Sequence, residues 1–202
     1  SPLAIGGTVM PTLISPNNYK LADSWGDGWG FLPVRVETYD MYSEDDLRRD
    51  ATVWDLRFLD GLDEEQSYHK RYQNTYLWLQ KYRPQAVNNT DASFDNNLNY
   101  NNNYRYYRYA EALLNAAELG LYIGKKEHVD EWVNLVRNRA GLASLSGVSV
   151  DDIIQERHLE FVGEGKRYWD LVRTGKAASV LVPDAYGYRT NSWTPSKKYI
   201  PI

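Results

Sequence analysis

The sequence predicts a mainly α protein with long irregular loops and a few short β-strands. Two observations support this fold class. From residue 104 onwards, apolar residues recur at the three- and four-residue spacing of amphipathic helices. Before that point, clusters of glycine, asparagine and proline, which favour turns, interrupt the chain. We therefore expect a loop-rich region with short strands over residues 1–103 and a helical region over residues 104–202.

The loop-rich region contains three predicted segments of regular structure. A helix is expected around residues 36–42, and alternating or β-prone side chains predict strands over residues 51–58 and 75–82. The end of the region, residues 88–103, has eight Asn in sixteen positions. Asparagine favours turns and contributes nothing to an apolar core, so this stretch is expected to be a polar surface loop.

The helical region opens with two predicted helices. Gly120 and Gly124 are expected to bracket the turn between them, and Gly141 is expected to end the second. The first helix should bury a face of small and apolar residues, namely Tyr109, Ala110, Leu113, Leu114, Ala116 and Ala117. The second should bury Val129, Trp132, Val133 and Val136, while Asp130, Glu131, Asn134 and Arg137 point away.

Two more helices follow. Ser149 and Asp152 have the spacing of a capping box, which predicts the start of the third helix. A fourth is expected over residues 167–174, ending at Gly175, before an irregular stretch over residues 179–202. The first two helices resemble a tetratricopeptide hairpin, so the expected scaffold is a tetratricopeptide-like helical hairpin. One such repeat cannot bury its own faces, so further repeats are expected in a longer parent protein.

Composition excludes several classes of function. The 23 basic and 27 acidic residues give a net charge of −4, which argues against nucleic acid as a partner. No Cys is present, so thiol catalysis and Cys-ligated metals are excluded. The 17 Tyr and 7 Trp greatly outnumber the 4 Phe. Rings with a polar edge are typical of interfaces and ligand-facing surfaces, although a core role accounts for some of them.

No catalytic or metal site is predicted, and no cofactor is expected. The three His residues do not have any recognised metal-ligand spacing. Glu160 and Glu164 share a helix face, and paired carboxylates are the groups that glycoside hydrolysis uses. Each has an Arg or Lys within one helical turn, so an ion-pair network is the favoured interpretation and a glycosidase the distant one.

Three blocks of the helical region resemble the SusD/RagB family. Residues 104–118 contain R-Y-A-E-A-L-L-N-A-A-E, and residues 133–142 read V-N-L-V-R-N-R-A-G-L. The strongest match is the pattern E-R-x-x-E-F-x-x-E-G-x-R-x-W-D-L-x-R-x-G-K over residues 156–176. Upstream, residues 46–52 are similar to the family's D-x-R-x-x-A-T stretch.

The resemblance implies a non-enzymatic, lipid-anchored protein on the outer membrane of glycan-foraging bacteria. Such proteins capture an oligosaccharide or polysaccharide and deliver it to a SusC-like TonB-dependent transporter. The alternatives are a peptide-capturing protein of the same fold and a tetratricopeptide-type adaptor that binds a protein partner. Within the motifs, a structural role in joining helices is implied for Glu111, Arg157, Glu160, Arg167, Trp169 and Asp170.

The chain also departs from the family pattern. It has less than half the usual family length and lacks the anchoring Cys and the N-terminal helical repeats. We therefore expect a C-terminal piece of a longer single-domain parent, with the missing N-terminal part of the same protein as a partner and as the carrier of the lipid anchor.

The ligand is expected to contact aromatic residues in the loops. Sugar faces carry C–H groups that pack on flat rings, and nearby polar side chains or Arg bind the hydroxyls. Trp25 and Trp29 flank glycines, Tyr68 and Tyr72 stand near His69 and Arg71, and Tyr100 lies in the Asn-rich loop. The five aromatic residues are the predicted ligand-binding set. For Trp25 and Trp29 a buried loop anchor is the alternative, and for Tyr68 and Tyr72 a helix face.

Overall fold

The computed structural model describes residues 7–21, 27–89 and 98–199. Among these residues the chain is mainly helical, so the predicted fold class is confirmed. The helices are α1 (Met10–Ile14), α2 (Val36–Asp40), α3 (Arg48–Thr52), α4 (Tyr109–Tyr122), α5 (Val129–Arg139), α6 (Val150–Glu160), α7 (Arg167–Arg173) and α8 (Ala177–Val180). The strands are β1 (Val53–Asp55) and β2 (Leu77–Leu79), and short 3₁₀ turns cover Arg57–Leu59, Ala86–Asn89 and Pro195–Lys198.

The chain divides into two compact units. The first comprises Ser1–Arg108 and Val136–Ser144, and the second comprises Tyr109–Leu135 and Leu145–Ile202. The first boundary thus lies five residues after the expected one at residue 103. Segment 136–144 belongs to the first unit, where the Leu47 N–H donates to the carbonyl of Ala140 at 3.0 Å. The assignment of the ligand-binding face to residues 1–103 stays a prediction.

The first unit contains an antiparallel pair of strands. β1 and β2 pair with Val53 opposite Leu79 and Asp55 opposite Leu77. The core beneath them consists of Leu56, Leu59, Tyr68 and Trp78, with Tyr19, Trp54 and Tyr76 packed against it. Both strands are shorter than predicted, at three residues each.

Two carboxylates explain why the strand predicted over residues 51–58 is mostly wrong. The buried Asp46 accepts the N–H of Arg48 at 3.0 Å and pairs with its guanidinium at 2.7 Å, which holds the start of α3. At the other end Asp55 accepts the N–H of Arg57 at 2.9 Å and turns the chain into a 3₁₀ helix. These local hydrogen bonds outweigh the alternating pattern of side chains and leave only β1 extended.

In the second unit, α4 packs mainly against α6. The buried face of α4 carries Ala110, Leu113, Leu114 and Ala117, as predicted. The prediction that Tyr109 lies on that buried face is wrong, because its side chain is 74% exposed. One helical position separates Tyr109 from the buried Ala110, which rotates the ring away from α6.

Gly120 has a different role from the predicted one. It lies inside α4 and is buried, and a Cβ there would lie 2.7 Å from the carbonyl oxygen of Lys125. The glycine therefore allows the chain that leaves α4 to fold back closely on the helix. Gly124, with φ of +73°, ends the helix in the left-handed conformation.

The ends of α5 and α6 confirm the predicted boundaries. At Gly141 (φ +80°) the N–H of Leu142 donates to the carbonyl of Arg137, which is the Schellman closure of a helix C-terminus. Ser149 and Asp152 form the predicted capping box at the start of α6. Asn134 was expected to point away, but it exchanges two hydrogen bonds of 2.8 Å with the backbone of Leu145. It therefore holds the connection between α5 and α6.

Arg157 forms the centre of a buried ion-pair network in the second unit. Its guanidinium lies 2.9 Å from Asp170 of α7, donates to the Asn115 side chain of α4 at 2.6 Å, and lies 3.7 Å from Glu111 of α4. Glu111 also pairs with Lys166, whose Nζ lies 3.0 Å from Oε2 of the carboxylate. The network joins α4, α6 and α7, as the motif residues implied.

A second arginine, Arg173, extends the network from α7 to Glu118 of α4, at 2.8 Å from one carboxylate oxygen. The hydrogen bond that Arg173 donates to Glu118 raises the pKa of Arg173, so its charge is permanent at any physiological pH. Trp169 is the most exposed of the motif residues. Its side chain is 47% exposed and its ring packs edge-on against the neighbouring Tyr168, so a role in joining helices stays a prediction for this residue.

Replacing Arg157 is expected to destabilise the protein strongly. Arg157→Met leaves Asp170 and Glu111 buried with too few partners, which costs about 3–5 kcal/mol of unfolding free energy. Lys176→Met is the control, because Lys176 pairs with the exposed Asp151 and its loss should cost less than ~1 kcal/mol. Urea unfolding measures both. Equal losses in the two variants would contradict a structural role for the buried network.

The stability is also expected to depend on pH through His158. Burial lowers the pKa of His158 to about 4, and the nearby Arg167 guanidinium adds to the effect. Between these two pKa values the imidazole of the unfolded chain, with its ordinary pKa of 6.5, is protonated, whereas the imidazole of the folded protein stays neutral. The contribution of His158 is therefore complete above pH 6.5 and is lost progressively between pH 6.5 and about 4.

The measurement is the melting temperature across that pH range for the wild type and for His158→Gln. The variant should lose less melting temperature than the wild type as the pH falls, because its amide does not titrate. Carboxylates elsewhere titrate equally in both proteins, so parallel curves would rule out His158 as a source of the acid sensitivity.

Candidate functional site

Three loop segments of the first unit meet at Asn17. The backbone carbonyl of Asn17 accepts the N–H of His69 at 2.7 Å, and its side-chain amide donates to the carbonyl of Gly28 at 2.9 Å. Residues 28–31 lie beside residues 12–16, which are the end of α1 and the turn after it, and four backbone hydrogen bonds of 2.7 to 3.0 Å join the two segments. Backbone pairing thus holds these loops together, although the segments are not regular strands.

Two glycines permit this close packing. A Cβ at Gly28 would lie 2.4 Å from the carbonyl oxygen of Ser15. Gly30 has φ of +75°, and a Cβ there would lie 2.9 Å from Cδ of Arg71. Any larger side chain at either position would separate the segments, so the glycines determine where the neighbouring Trp29 and Phe31 are displayed.

The assembled loops display aromatic rings beside polar groups. Trp29 is 38% exposed, Phe31 is 48% exposed and Tyr72 is 84% exposed. The guanidinium of Arg71 lies 5.8 Å from the centre of the Phe31 ring and donates to Oδ1 of Asn17 at 3.4 Å. We call Asn17, Trp29, Phe31, Arg71 and Tyr72 together the Asn17 surface. Flat apolar rings next to an amide and a guanidinium are suited to a ligand with both C–H faces and hydroxyls.

Glu64 fixes one edge of these loops. Its carboxylate lies 2.7 Å from Nδ1 of His69 and accepts the N–H of Lys70 at 3.1 Å. The hydrogen bond with His69 lowers the pKa of Glu64, and the Lys70 amide adds to the effect. The carboxylate is therefore ionised at neutral pH and serves to position the loop that carries Arg71 and Tyr72.

The structure places the five predicted ligand-binding residues in different environments. Trp25 lies outside the described residues. Trp29 and Tyr72 are exposed on segments that both contact Asn17, and their role in ligand binding stays a prediction. Tyr68 is fully buried: its ring packs edge-on against Tyr76 and Trp78, and burial raises its pKa to about 12. Residues 68–72 form no helix, so a shared helix face for Tyr68 and Tyr72 is wrong.

Tyr100 differs from its expected exposure. The sequence predicted an exposed ring in the Asn-rich loop, but the residue is only 4% exposed. Its backbone pairs with Thr8 through hydrogen bonds of 2.8 and 3.1 Å, which bring the loop back against the start of the chain. A ring buried in this way has no free face for a ligand in this conformation.

Sequence reasoning missed Asn17 and Phe31. Asn17 lies in a Pro-Asn-Asn turn, and nothing local indicates that it joins segments from residues 28 and 69. For Phe31 the sequence did contain a signal, because Phe31 comes two residues after Trp29 in the same glycine-rich loop. Once Trp29 is a candidate for ligand binding, the next aromatic residue of that loop is a candidate too.

The groups considered for catalysis are buried. Glu160 is 1% exposed and Glu164 is 5% exposed, so neither carboxylate is presented to a substrate. Across residues 7–21, 27–89 and 98–199, no three acidic or His side chains come close enough together to hold a metal ion. Within the same ranges, no helix has both the length and the apolar character needed to cross a membrane.

Comparison with known proteins gives the family. Residues 61–200 match the SusD family. The chain belongs to the SusD family. The predicted resemblance is thereby confirmed, including over part of the loop-rich region.

Three solved structures with a similar fold have names that state glycan or laminarin binding. Surface glycan-binding protein A from Bacteroides thetaiotaomicron, solved in complex with laminarihexaose, is 54% identical with a TM-score of 0.90, over 100% of this chain and 44% of that one. The protein of the same name from Bacteroides uniformis is 58% identical with a TM-score of 0.86, over 97% and 44%. A laminarin binding SusD-like protein is 36% identical with a TM-score of 0.75, over 91% and 39%. The SusD-family chain thus spans less than half the length of each of these relatives.

Removing the side chain of Asn17 is expected to loosen the loops. Asn17→Ala deletes the hydrogen bond to Gly28 and the acceptor for Arg71, at a cost of about 1 kcal/mol in unfolding free energy. Faster hydrogen exchange of the Gly30 and Phe31 amides should accompany it. Asn101→Ala, at an exposed position, is the control and should change neither quantity. Unchanged exchange at Gly30 in Asn17→Ala would show that the backbone pairs alone hold the loops.

Proposed function

We propose that this chain is part of a non-enzymatic cell-surface protein that binds a laminarin-type glycan. The Asn17 surface supports the proposal most directly, because it carries the exposed Trp29, Phe31 and Tyr72 and holds the guanidinium of Arg71 5.8 Å from the centre of the Phe31 ring. Exposed rings are suited to stacking on the sugar units of a chain-like ligand. The similar structures supply the ligand class, since one was solved with laminarihexaose and another is named for laminarin.

The proposed glycan binding relies on two kinds of contact, one made by aromatic rings and the other by polar groups. Sugar rings present C–H faces that stack on aromatic rings, and their hydroxyls exchange water for hydrogen bonds with amide and guanidinium groups. Arg71 is held near Phe31 and Asn17, so part of its side-chain entropy is lost on folding and not on binding. The same residues carry no carboxylate pair for hydrolysis, which is consistent with capture and release.

The proposed binding is tested by titration calorimetry of the protein with laminarihexaose, with maltohexaose and an unrelated peptide as comparison ligands. Trp29→Ala should weaken binding of laminarihexaose about tenfold or more, equivalent to ~1.4 kcal/mol, through the loss of one stacking platform. Tyr72→Ala should weaken it in the same direction. Tyr199→Ala is the matched control, since Tyr199 is also highly exposed, at 74%, but belongs to the second unit.

Three outcomes would contradict the proposal. Affinity that is unchanged in both Trp29→Ala and Tyr72→Ala, with intact folding, would remove the Asn17 surface from the site. Binding of the peptide but of no glycan would instead support the peptide-capturing alternative. Release of shortened sugars during incubation would show an enzyme.

We also propose that the complete protein delivers the glycan to a TonB-dependent transporter at the outer membrane. The family resemblance supports this part. Its test is co-purification: a tagged complete protein should retain the transporter through detergent extraction of outer membranes, and recovery of the tagged protein alone would count against a stable pairing.

A further inference from the structure

One loop of the second unit, residues 184–193, is irregular and yet held closely by its own hydrogen bonds. The carboxylate of Asp184 accepts the backbone N–H groups of Tyr186, Tyr188 and Arg189 at 3.0, 3.0 and 2.8 Å. The N–H of Asp184 in turn donates to the carbonyl of Arg189 at 3.1 Å. We call residues 184–193 the Tyr186 loop.

Side chains also join the Tyr186 loop to its surroundings. The guanidinium of Arg189 donates to the carbonyl of Val182 at 3.0 Å, and the N–H of Trp193 donates to the carbonyl of Leu181 at 2.8 Å. The indole N–H of Trp193 donates to the hydroxyl of Tyr168 on α7 at 3.3 Å. Much of the conformational entropy of the loop is therefore lost on folding, which lowers the cost of binding a ligand there.

The Tyr186 loop carries two parallel aromatic rings. The centres of the Tyr186 and Tyr188 rings lie 5.7 Å apart, and their planes differ by 9°. Gly187, between them, has φ of +74°, and a Cβ there would meet no atom within 4 Å. The glycine is thus required for its backbone conformation and not for space. Because Tyr188 covers one face of the Tyr186 ring, the 51% exposed fraction of Tyr186 lies on the other face and the edges.

The composition of this segment is that of a binding loop for a polar ligand. Residues 186–194 read Y-G-Y-R-T-N-S-W-T, with no acidic residue and one basic residue. The side chains of Thr190, Asn191 and Ser192 are exposed. Antibody loops use the same residue types, because tyrosine supplies rigid contact area while serine and asparagine supply adaptable hydrogen bonds. Rings beside hydroxyl and amide groups are suited to a ligand that has both C–H faces and hydroxyls.

We propose that the Tyr186 loop is an additional glycan contact, carried by the second unit. A sugar ring stacks on the open face of Tyr186, and the exposed side chains of residues 190–192 bind its hydroxyls. The inference rests on the glycan binding proposed above, which uses the Asn17 surface of the first unit. A chain of several sugar units has several faces for stacking, so the additional contact does not require a second kind of ligand.

The first experiment is hydroxyl-radical footprinting of the protein with laminarihexaose, and with an unrelated peptide as the comparison ligand. Oxidation of Tyr186 and Tyr188 should fall as the laminarihexaose concentration rises, in addition to that of Trp29 and Tyr72. Tyr122, which is 65% exposed on α4, is the reference that corrects for radicals consumed by the sugar.

The outcomes separate this inference from the proposed function. Protection of Trp29 and Tyr72 with none at Tyr186 would overturn the additional contact and leave the proposed function intact. Protection at none of these rings would overturn both. Protection of Tyr186 by the peptide and not by laminarihexaose would assign the loop to a protein partner instead.

The second experiment tests the stacking itself. Tyr186→Ala should raise the laminarihexaose concentration that gives half-maximal protection of Tyr188 about tenfold, whereas Tyr186→Phe keeps the ring and should stay within about twofold of the wild type. Tyr122→Ala is the matched control and should not change this concentration. An unchanged concentration in Tyr186→Ala, at an unchanged melting temperature, would overturn the proposal.

Discussion

The second unit depends on the buried guanidinium of Arg157. A charge this far from water is stable only when carboxylates and amide oxygens surround it, and Asp170, Asn115 and Glu111 supply them from two other helices. The pairing requires α4, α6 and α7 to meet at one point. The apolar contact between α4 and α6 thus lies beside a polar centre to which all three helices contribute.

This network also determines what the surface of the unit looks like. Because Glu111 and Glu118 are both used inside, α4 has no charge left for its outward side. Glu160 and Glu164, whose spacing in the sequence resembles that of a catalytic pair, are buried in the same unit. One feature of the sequence, the dense acidic and basic residues of the motif blocks, thus accounts for the internal ion pairs and for the uncharged helix face.

The first unit uses a different principle. Its loops are held by backbone hydrogen bonds around Asn17 and by close contacts at Gly28 and Gly30. Side chains are then free to face solvent, and Trp29, Phe31 and Tyr72 do so. The backbone pairs do not involve the side chains of Trp29, Phe31 and Tyr72, so substitutions there should leave the loops in place, whereas Asn17, Gly28 and Gly30 are needed to hold them.

Whether a feature was predicted correctly depends on how far apart in the chain the interacting residues lie. Features with a local cause were mostly predicted correctly: the capping box at Ser149, the glycine end at Gly141 and the burial of Leu113, Leu114 and Ala117 on α4 and of Val129, Val133 and Val136 on α5 arise from residues within one or two helical turns. Tyr109 and Trp132 depart from that pattern, because Tyr109 is exposed and Trp132 is only partly buried. The strand predicted over residues 51–58 is reduced to the three residues of β1, because Asp46 and Asp55 accept hydrogen bonds from the Arg48 and Arg57 amides that turn the chain on either side. The alternating pattern of side chains does not indicate that these two carboxylates form local hydrogen bonds with the backbone.

The sequence by itself determined the helical class, the family and the inward role of most of its charged motif residues, because caps, periodicity and paired charges act over short distances. Only the tertiary structure decided which aromatic residues are available. Tyr68 and Tyr100 are buried, whereas Phe31 and Tyr72 face solvent, although all four lie in loops. The difference is set by contacts between segments far apart in the chain, such as Asn17 with His69 and Thr8 with Tyr100, which short-range sequence patterns do not encode.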